Sequence, residues 1–259
     1  MNTTQRIAFA TFTLLASGVA MAQASSPEPE YMITFNVGVV SDYRVRGIAQ
    51  TSFKPALQVG ADFSHKSGFY AGTFASNVRW VKDFNGATKG SVEVDLYGGY
   101  KGQINNDFSY DVGLITYQYP GNNSGDAGTP GAGLFADAST TEAYGALTYK
   151  MFTLKYNRSL GNFLGNLDSH GSQYFDLSAG FDLGNGFTLT PHVGRQLIPH
   201  QALPASYTDF SLAIAKDMGN GLVLTAAAIG TNAKRSFYTD LNGRYLGRDT
   251  LVVGAKYTF

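Results

Sequence analysis

The sequence predicts an all-β chain: a transmembrane up-and-down antiparallel β-barrel of about twelve strands, with short periplasmic turns on one rim and longer extracellular loops on the other. Three observations predict it. Apolar residues recur at every second position in segment after segment, the connections alternate between tight turns and long loops, and the chain ends in an alternating strand closed by Phe259. Composition agrees, because 259 residues include 18 Phe, 16 Tyr and 31 Gly, with 15% charged residues and no Cys. Aromatic strand formers combined with turn-forming glycine favour sheet over helix. The 19 Lys and Arg balance 19 Asp and Glu, so no basic excess draws the chain to nucleic acid.

The N-terminus sets the compartment. Arg6 precedes an apolar run from Ile7 to Val19, and Ala20, Met21 and Ala22 give the small-x-small pattern that signal peptidase reads. That run falls short of the roughly 20 residues a spanning helix needs. Residues 1–22 therefore read as a cleaved signal peptide, and 23–30, with Ser25, Ser26, Pro27 and Pro29, as a short disordered lead-in. The barrel domain is 31–259. Without Cys, the exported chain does without disulfides. Its longest later apolar stretch, Leu222 to Gly230, is too short to cross as a helix.

Period two begins at once. Tyr31, Ile33, Phe35, Val37, Val39, Ser41 and Tyr43 share one face, opposite Thr34, Asn36, Gly38, Asp42 and Arg44. Leu57, Val59, Ala61 and Phe63 follow, and two segments near 69–80 and 142–150 are strands of ambiguous phase. Val92, Val94, Leu96 and Tyr100 alternate with Glu93, Asp95, Tyr97 and Gly99. The pattern returns at Phe108 to Leu114, Phe152 to Tyr156, Phe175 to Leu183, Phe187 to Val193, Phe210 to Ile214, Leu222 to Ala226 and Leu251 to Phe259.

A soluble sandwich also buries one face of each strand, but its connections have no reason to fall into two alternating classes. Here tight turns at Lys66–Ser67, Gln103–Asn106, Lys150–Met151, Gly184–Gly186 and Gly219–Gly221 alternate with loops that include Pro120–Thr140, Leu160–Gly171 and Thr231–Arg248. Thin and thick rims of a membrane barrel produce that alternation. Aromatics flank the short turns, as headgroup-level girdles require: Phe63 with Tyr70, Tyr100 with Phe108, Tyr149 with Phe152, and Phe181 with Phe187. Met218 and Leu222 break the series. Strands in hydrocarbon must pair on both edges, and an even number places the first beside the last. Pro191 lies inside a strand that has no free edge, so a bulge or a missing hydrogen bond is expected there. Tyr257 and Phe259 in the last strand look like the C-terminal assembly signal of bacterial outer-membrane barrels, which would bring the barrel assembly machinery as a partner beside outer-membrane lipid.

Ser41–Thr51 (SDYRVRGIAQT), Pro55–His65 (PALQVGADFSH) and Ser67–Val78 (SGFYAGTFASNV) resemble the TorF-type porin family of proteobacteria. Members of that family often carry an aromatic where this chain has Val45 and Trp where it has Phe74. The resemblance implies an outer-membrane β-barrel with a channel role and supplies no substrate.

If the apolar phase faces lipid, the opposite phase places Arg44, Asp62, Glu93, Asp95, Asp111, Lys155, Asp176, Asp182, His192 and Lys256 in the lumen, with Arg79 added. A solvated lumen tolerates these charges, whereas lipid at the midplane penalises a Lys or Arg by about 2–4 kcal/mol. Two readings follow: charges on opposing walls set a field that selects small polar solutes or ions, or they pair across a closed interior. Either way the barrel fits the outer membrane, and the sequence leaves room for a homo-oligomer. The Gly- and Pro-rich loop 120–133 either folds inward as a constriction or lies exposed. A surface adhesin or structural barrel is the alternative to a channel. A lipid-modifying enzyme needs Ser and His at matching depth on neighbouring strands, and no such set is found, so no catalytic residue is assigned. His65, His170, His192 and His200 are scattered, which gives no metal or cofactor site.

Overall fold

A computed structural model describes residues 29–259. The signal peptide and most of the lead-in lie outside the described residues. Twelve antiparallel strands follow one another around a closed barrel: β1 (Tyr31–Val40), β2 (Ala56–His65), β3 (Phe69–Asn77), β4 (Val92–Gln103), β5 (Phe108–Gln118), β6 (Thr140–Tyr149), β7 (Phe152–Ser159), β8 (Gln173–Ala179 continued by Phe181–Gly184), β9 (Phe187–Leu197), β10 (Tyr207–Asp217), β11 (Leu222–Thr231) and β12 (Thr250–Thr258). Each pairs with its sequence neighbours, and β1 closes the ring on β12, with Val37 opposite Tyr257. At that seam Phe35 and Phe259 exchange two backbone hydrogen bonds of 2.9 Å. Tyr31 and Phe259, the two ends of the barrel domain, therefore lie on the rim of the tight turns. At Gly184–Gly186 and Gly219–Gly221 the Gly-Asn-Gly triplets hold consecutive positive φ angles, the backbone that a tight hairpin demands.

Side chains from strands that are not neighbours can meet only on the concave face, which fixes the phase. Tyr70 on β3 reaches Asp111 on β5 and Tyr144 on β6, and Tyr97 on β4 reaches Asp62 on β2. The ambiguous strands thus point Tyr70, Gly72, Phe74 and Ser76, and Thr140, Glu142, Tyr144 and Ala146, inward. The opposite phase carries Val39, Leu57, Leu96, Val112, Leu154 and Leu251, all exposed, as lipid contact requires.

The aromatic girdle differs from expectation at Tyr70. Its hydroxyl is spent inside, and Phe69 takes the outer position, packed edge-on to Tyr100 at 4.9 Å between centroids. Phe108 lies 4.7 Å from Tyr149, and Phe259 stacks between Phe35 and Tyr257.

Pro191 leaves its mark as a gap. Strand β8 is interrupted at Gly180, while the register holds on either side, with Ser178 opposite His192 and Phe181 opposite Leu189. The missing N–H removes ladder bonds without shifting the sheet; the bulge comes later, between Asp182 and Gly184, where the turn begins.

A second difference concerns β1. Alternation in the sequence runs on to Tyr43, yet the strand stops at Val40 and the chain turns into the barrel. Loop 1 (residues 41–55) carries its own two-stranded ladder, Arg44–Val45 against Ile48–Ala49. Arg46 (φ 48°) and Gly47 (φ 78°) form its tip, and two successive positive φ angles are the backbone of a type I′ turn. Loop 2 (residues 78–91) and loop 6 (residues 232–249) contribute single helical turns, α1 (Trp80–Asp83) and α2 (Arg235–Tyr238).

Candidate permeation pathway

The lumen has two halves of different character. Towards the turns, inward residues such as Asp62, Ser64, Tyr97, Lys101, Asp111 and Ala146 are partly solvent-accessible. Towards the loops, inward residues of the same strands, including Gln58, Glu93, Asp95, Glu142, Asn157 and Gln196, are buried. Loop 1, with the other loops packed over it, fills that half.

The tip of its hairpin is planted in the lumen. The Arg46 guanidinium donates to both Glu142 oxygens at 3.1 and 2.6 Å and to Gln196 Oε1 at 2.7 Å, linking β6 to β9. Its planar face lies over the Tyr174 ring at 4.2 Å and the Phe163 ring at 5.4 Å. Burial opposes the charge of Arg46, but the Glu142 carboxylate outweighs it and raises its pKa further. Asn157 Nδ2 also donates to Glu142, at 3.1 Å. A Cβ on Gly47 would come within 2.4 Å of Thr231 Cγ2 and 2.9 Å of Asp209 Cβ, so glycine lets the tip abut the far wall.

Arg44 is predicted on the strand wall, but sits in this hairpin because β1 has already ended. It is buried, pairs with Asp42 at 2.8 Å and donates to the carbonyls of Gly47 and Arg248 at 2.8 Å. Its role is to hold the hairpin together and tie it to loop 6. Arg79 also leaves the wall. β3 ends at Asn77, and Arg79 stands before α1 with a half-exposed side chain 3.2 Å from Asp83. Asp83 in turn accepts from Ser52 at 2.9 Å and Arg244 at 2.8 Å, joining loops 1, 2 and 6. Burial would raise its pKa, but Ser52, Arg79 and Arg244 hold it below its ordinary value.

The other expected residues lie on the inner face. Glu93 accepts from the hydroxyls of Tyr43 at 2.5 Å and Tyr119 at 2.7 Å, with Asp95 buried two residues on. Tyr43 also packs on Phe74, 5.9 Å between centroids. Register puts Lys101 beside Asp111, Asp111 beside Ala146, Ala146 beside Lys155 and Lys155 beside Asp176. Charges of alternating sign thus run along one level of the β4–β8 wall as cross-strand pairs, whereas the expectation had them on opposing walls. The facing β10–β12 wall offers Ala213, Thr225, Ala227 and Gly254, with Lys256 buried near its turn-side end. His192 Nε2 lies 2.8 Å from Asp176, and the Tyr174 hydroxyl lies 3.2 Å from His192 and 3.1 Å from Asp209. Asp182 is exposed at the rim, where it accepts from the Gly184 N–H at 2.8 Å and caps the turn.

Sequence reasoning missed Arg46, Glu142 and Asp209. Asp209 was legible, because it precedes Phe210 in the phase opposite to the apolar one. Glu142 lay in a strand of unassigned phase, and nothing in the pattern marked Arg46 as a residue that enters the barrel. The Gly- and Pro-rich loop is not the constriction: Asp126, Ala127, Gly128 and Pro130 are exposed on the outside.

Residues 21–259 match the family model Gcw_chp, described as a bacterial protein of unknown function. The chain belongs to the Gcw_chp family. No curated protein matches this Gcw_chp chain. Among solved structures it is similar to the KdgM porin in complex with disordered oligogalacturonate, with TM-score 0.52, 8% identity, and 88% of this chain and 98% of that one covered. It is similar to the NanC porin (TM-score 0.51, 9% identity, 87% and 99% covered) and to a TodX deltaS2S3 mutant, a monoaromatic hydrocarbon channel (TM-score 0.54, 13% identity, 90% and 91% covered). At these identities the shared property is the barrel fold, and these three Gcw_chp look-alikes are channels by their descriptions.

Proposed function

We propose that the protein is an outer-membrane porin for the passive diffusion of small polar solutes or ions, exported by the signal at 1–22, assembled through Tyr257 and Phe259, and narrowed on its loop side by the Arg46 hairpin. The observation that carries this reading is a closed barrel whose inner phase is mostly polar and, over its turn-side half, partly open to solvent, while its outer phase is mostly apolar, with the charges Arg158, Arg195 and Lys216 near its rims. Water with charged and hydroxyl-bearing walls is what a hydrated solute needs along its path. The shared fold with KdgM, NanC and TodX supports a channel, and the likeness of residues 41–78 to TorF-type porins points the same way. The alternating Lys and Asp row on one wall faces small neutral residues, so a solute passes a one-sided charged surface. The channels of the same fold, rather than enzymes, guide this reading.

Purified protein in a planar bilayer tests the reading. Discrete conductance steps are expected, small in the native protein and larger when Arg46 is removed. Their absence from both forms, with the barrel folded, would overturn it. That result would favour a sealed structural or adhesive barrel, a reading supported by the burial of the loop-side half.

A further inference from the structure

The loop rim of the barrel is not uniform on its lipid side. Val39 on β1, Leu57 on β2, Val92 on β4 and Leu251 on β12 are exposed apolar residues there. One arc differs. Arg158 on β7 and Arg195 on β9 belong to the same outward phase as Leu154 and Val193, and both are exposed. Register sets Arg158 opposite Gln173 and Arg195 opposite Phe175 on the intervening β8. The two cations therefore stand two strands and two residues apart, about 12 Å between Cα atoms at ordinary sheet spacing.

Little of either charge is spent within the protein. The arginines in ion pairs among the described residues are Arg44, Arg46, Arg79 and Arg244, not these two. Asp168, the one acid of loop 4 (residues 160–172), stands 3.6 Å from His200 instead. The Arg158 guanidinium lies at Gly171, 3.1 Å from where a β-carbon would stand, so its head reaches towards the loops. Arg195 donates to Thr208 Oγ1 at 3.2 Å. A guanidinium has five N–H donors, so most of them are left for an outside acceptor. Between the two, Gln173 Oε1 accepts from the Tyr156 hydroxyl at 3.1 Å, which keeps the Gln173 amide N–H groups for another partner. Lys216, the lipid-facing cation near the turn rim, is engaged by contrast: it donates to the Asn185 carbonyl and lies over the Phe187 ring at 4.5 Å. Cations on a lipid-facing wall without a protein counter-charge need an anion from the membrane. On the turn side of the pair, Phe175, Leu177, Val193 and Phe210 are exposed, a surface for acyl chains.

We propose that this patch binds a glycolipid headgroup carrying two phosphates, one on Arg158 and one on Arg195, with the sugar between them on Gln173 and Tyr156 and acyl chains on Phe175 and Phe210. The guanidinium fork matches phosphate oxygens in pairs. Two such forks with hydrogen-bonding groups between them suit phosphates at opposite ends of a short saccharide, whereas a glycerophospholipid brings a single phosphate. Placement in the outer leaflet rests on the outer-membrane reading, while binding by the purified protein does not.

Native mass spectrometry of the intact barrel in detergent tests the site, with diphosphoryl lipid A and phosphatidylglycerol as probes. One lipid A per chain is expected to bind at least five-fold more tightly than phosphatidylglycerol. Arg158→Gln combined with Arg195→Gln should weaken lipid A at least ten-fold, and Lys216→Gln should leave it within two-fold. Equal affinity for the two lipids, undiminished binding by the double variant, or an equal loss with Lys216→Gln would each overturn the proposal, and the first comparison needs no variant. Ala127→Cys on the exposed loop 120–133, labelled on intact cells with an impermeant maleimide, reads placement separately. Absence of label with lipid A bound in detergent would uphold the site and sink the outer-membrane reading; label without lipid A binding would sink the site alone.

Discussion

The loop-side and turn-side halves of this barrel are lined by the same strands, and they behave as two different materials. Near the turns, Asp62, Tyr70, Tyr97, Asp111 and Tyr144 form a polar, hydroxyl-rich surface that water reaches. Near the loops, the continuations of the same strands are buried, and two of their carboxylates are matched, Glu142 by Arg46 and Glu93 by two tyrosines. What separates them is the loop 1 hairpin with the loop residues packed around it, among them Trp80, Tyr119 and Phe163, so strand number alone does not decide how open a barrel is.

Breaking the hairpin should erase the difference, and it carries the largest expected effect. Arg46→Ala leaves Glu142 buried without its partner, a change that costs about 3–5 kcal/mol. Loop 1 should unseat, hydrogen exchange at residues 43–51 should rise, and single-channel conductance should increase several-fold. Adding Glu142→Gln should recover part of the stability and keep the pore open. Gly47→Val attacks the same contact by sterics and should give the same open phenotype.

The seam comes next. Phe259 supplies two backbone bonds and two ring contacts to the closure of β1 on β12, so deleting it should reduce folded protein in the outer membrane well below half. Heat-modifiable mobility on gels reads this, and unchanged insertion would contradict the assembly role of Tyr257 and Phe259.

Selectivity sharpens the comparison between the halves. Asp62→Asn with Asp111→Asn changes the solvated half and should lower cation preference in reversal-potential measurements. Glu93→Gln with Asp95→Asn changes a buried cluster, and should lower that preference less until loop 1 is displaced.

Much of this is legible in the sequence. Period two located the strands, loop lengths located the rims, and Pro191 announced the gap at Gly180. The loop-side half was not legible, for a physical reason. Alternation marks which face a residue occupies but not where a strand leaves the sheet, so Tyr43 and Arg44 read as wall. Trp80, Phe84, Phe163 and Phe237 are apolar residues of the kind that mark lipid contact, and nothing local distinguishes a ring destined for a loop cap from one destined for acyl chains. Tyr70 shows the same ambiguity at the other rim, where its hydroxyl found Asp111 and ceded the girdle to Phe69.

The smallest effect belongs to the clamp between loops 2 and 6. Asp83→Asn should cost about 1 kcal/mol, read as faster exchange at residues 80–84 and 240–246. Because the folded Asp83 carboxyl titrates below its unfolded value, its contribution is complete above the ordinary carboxylate range and is lost only as pH falls through the lower folded value. The clamp should therefore be constant from about pH 5 to 8 and loosen only below about pH 4.

Central to all of this is that the apolar phase meets lipid and the polar phase encloses solvent. The chain has no cysteine, so single introduced thiols in vesicle-embedded protein report it directly with a membrane-impermeant, negatively charged maleimide. Ser109→Cys and Ala146→Cys should react quickly, Ser76→Cys and Ser159→Cys should react only when combined with Arg46→Ala, and Leu114→Cys and Val253→Cys should not react at all. Rapid labelling at Leu114 and Val253 with protection at Ser109 and Ala146 would contradict the account.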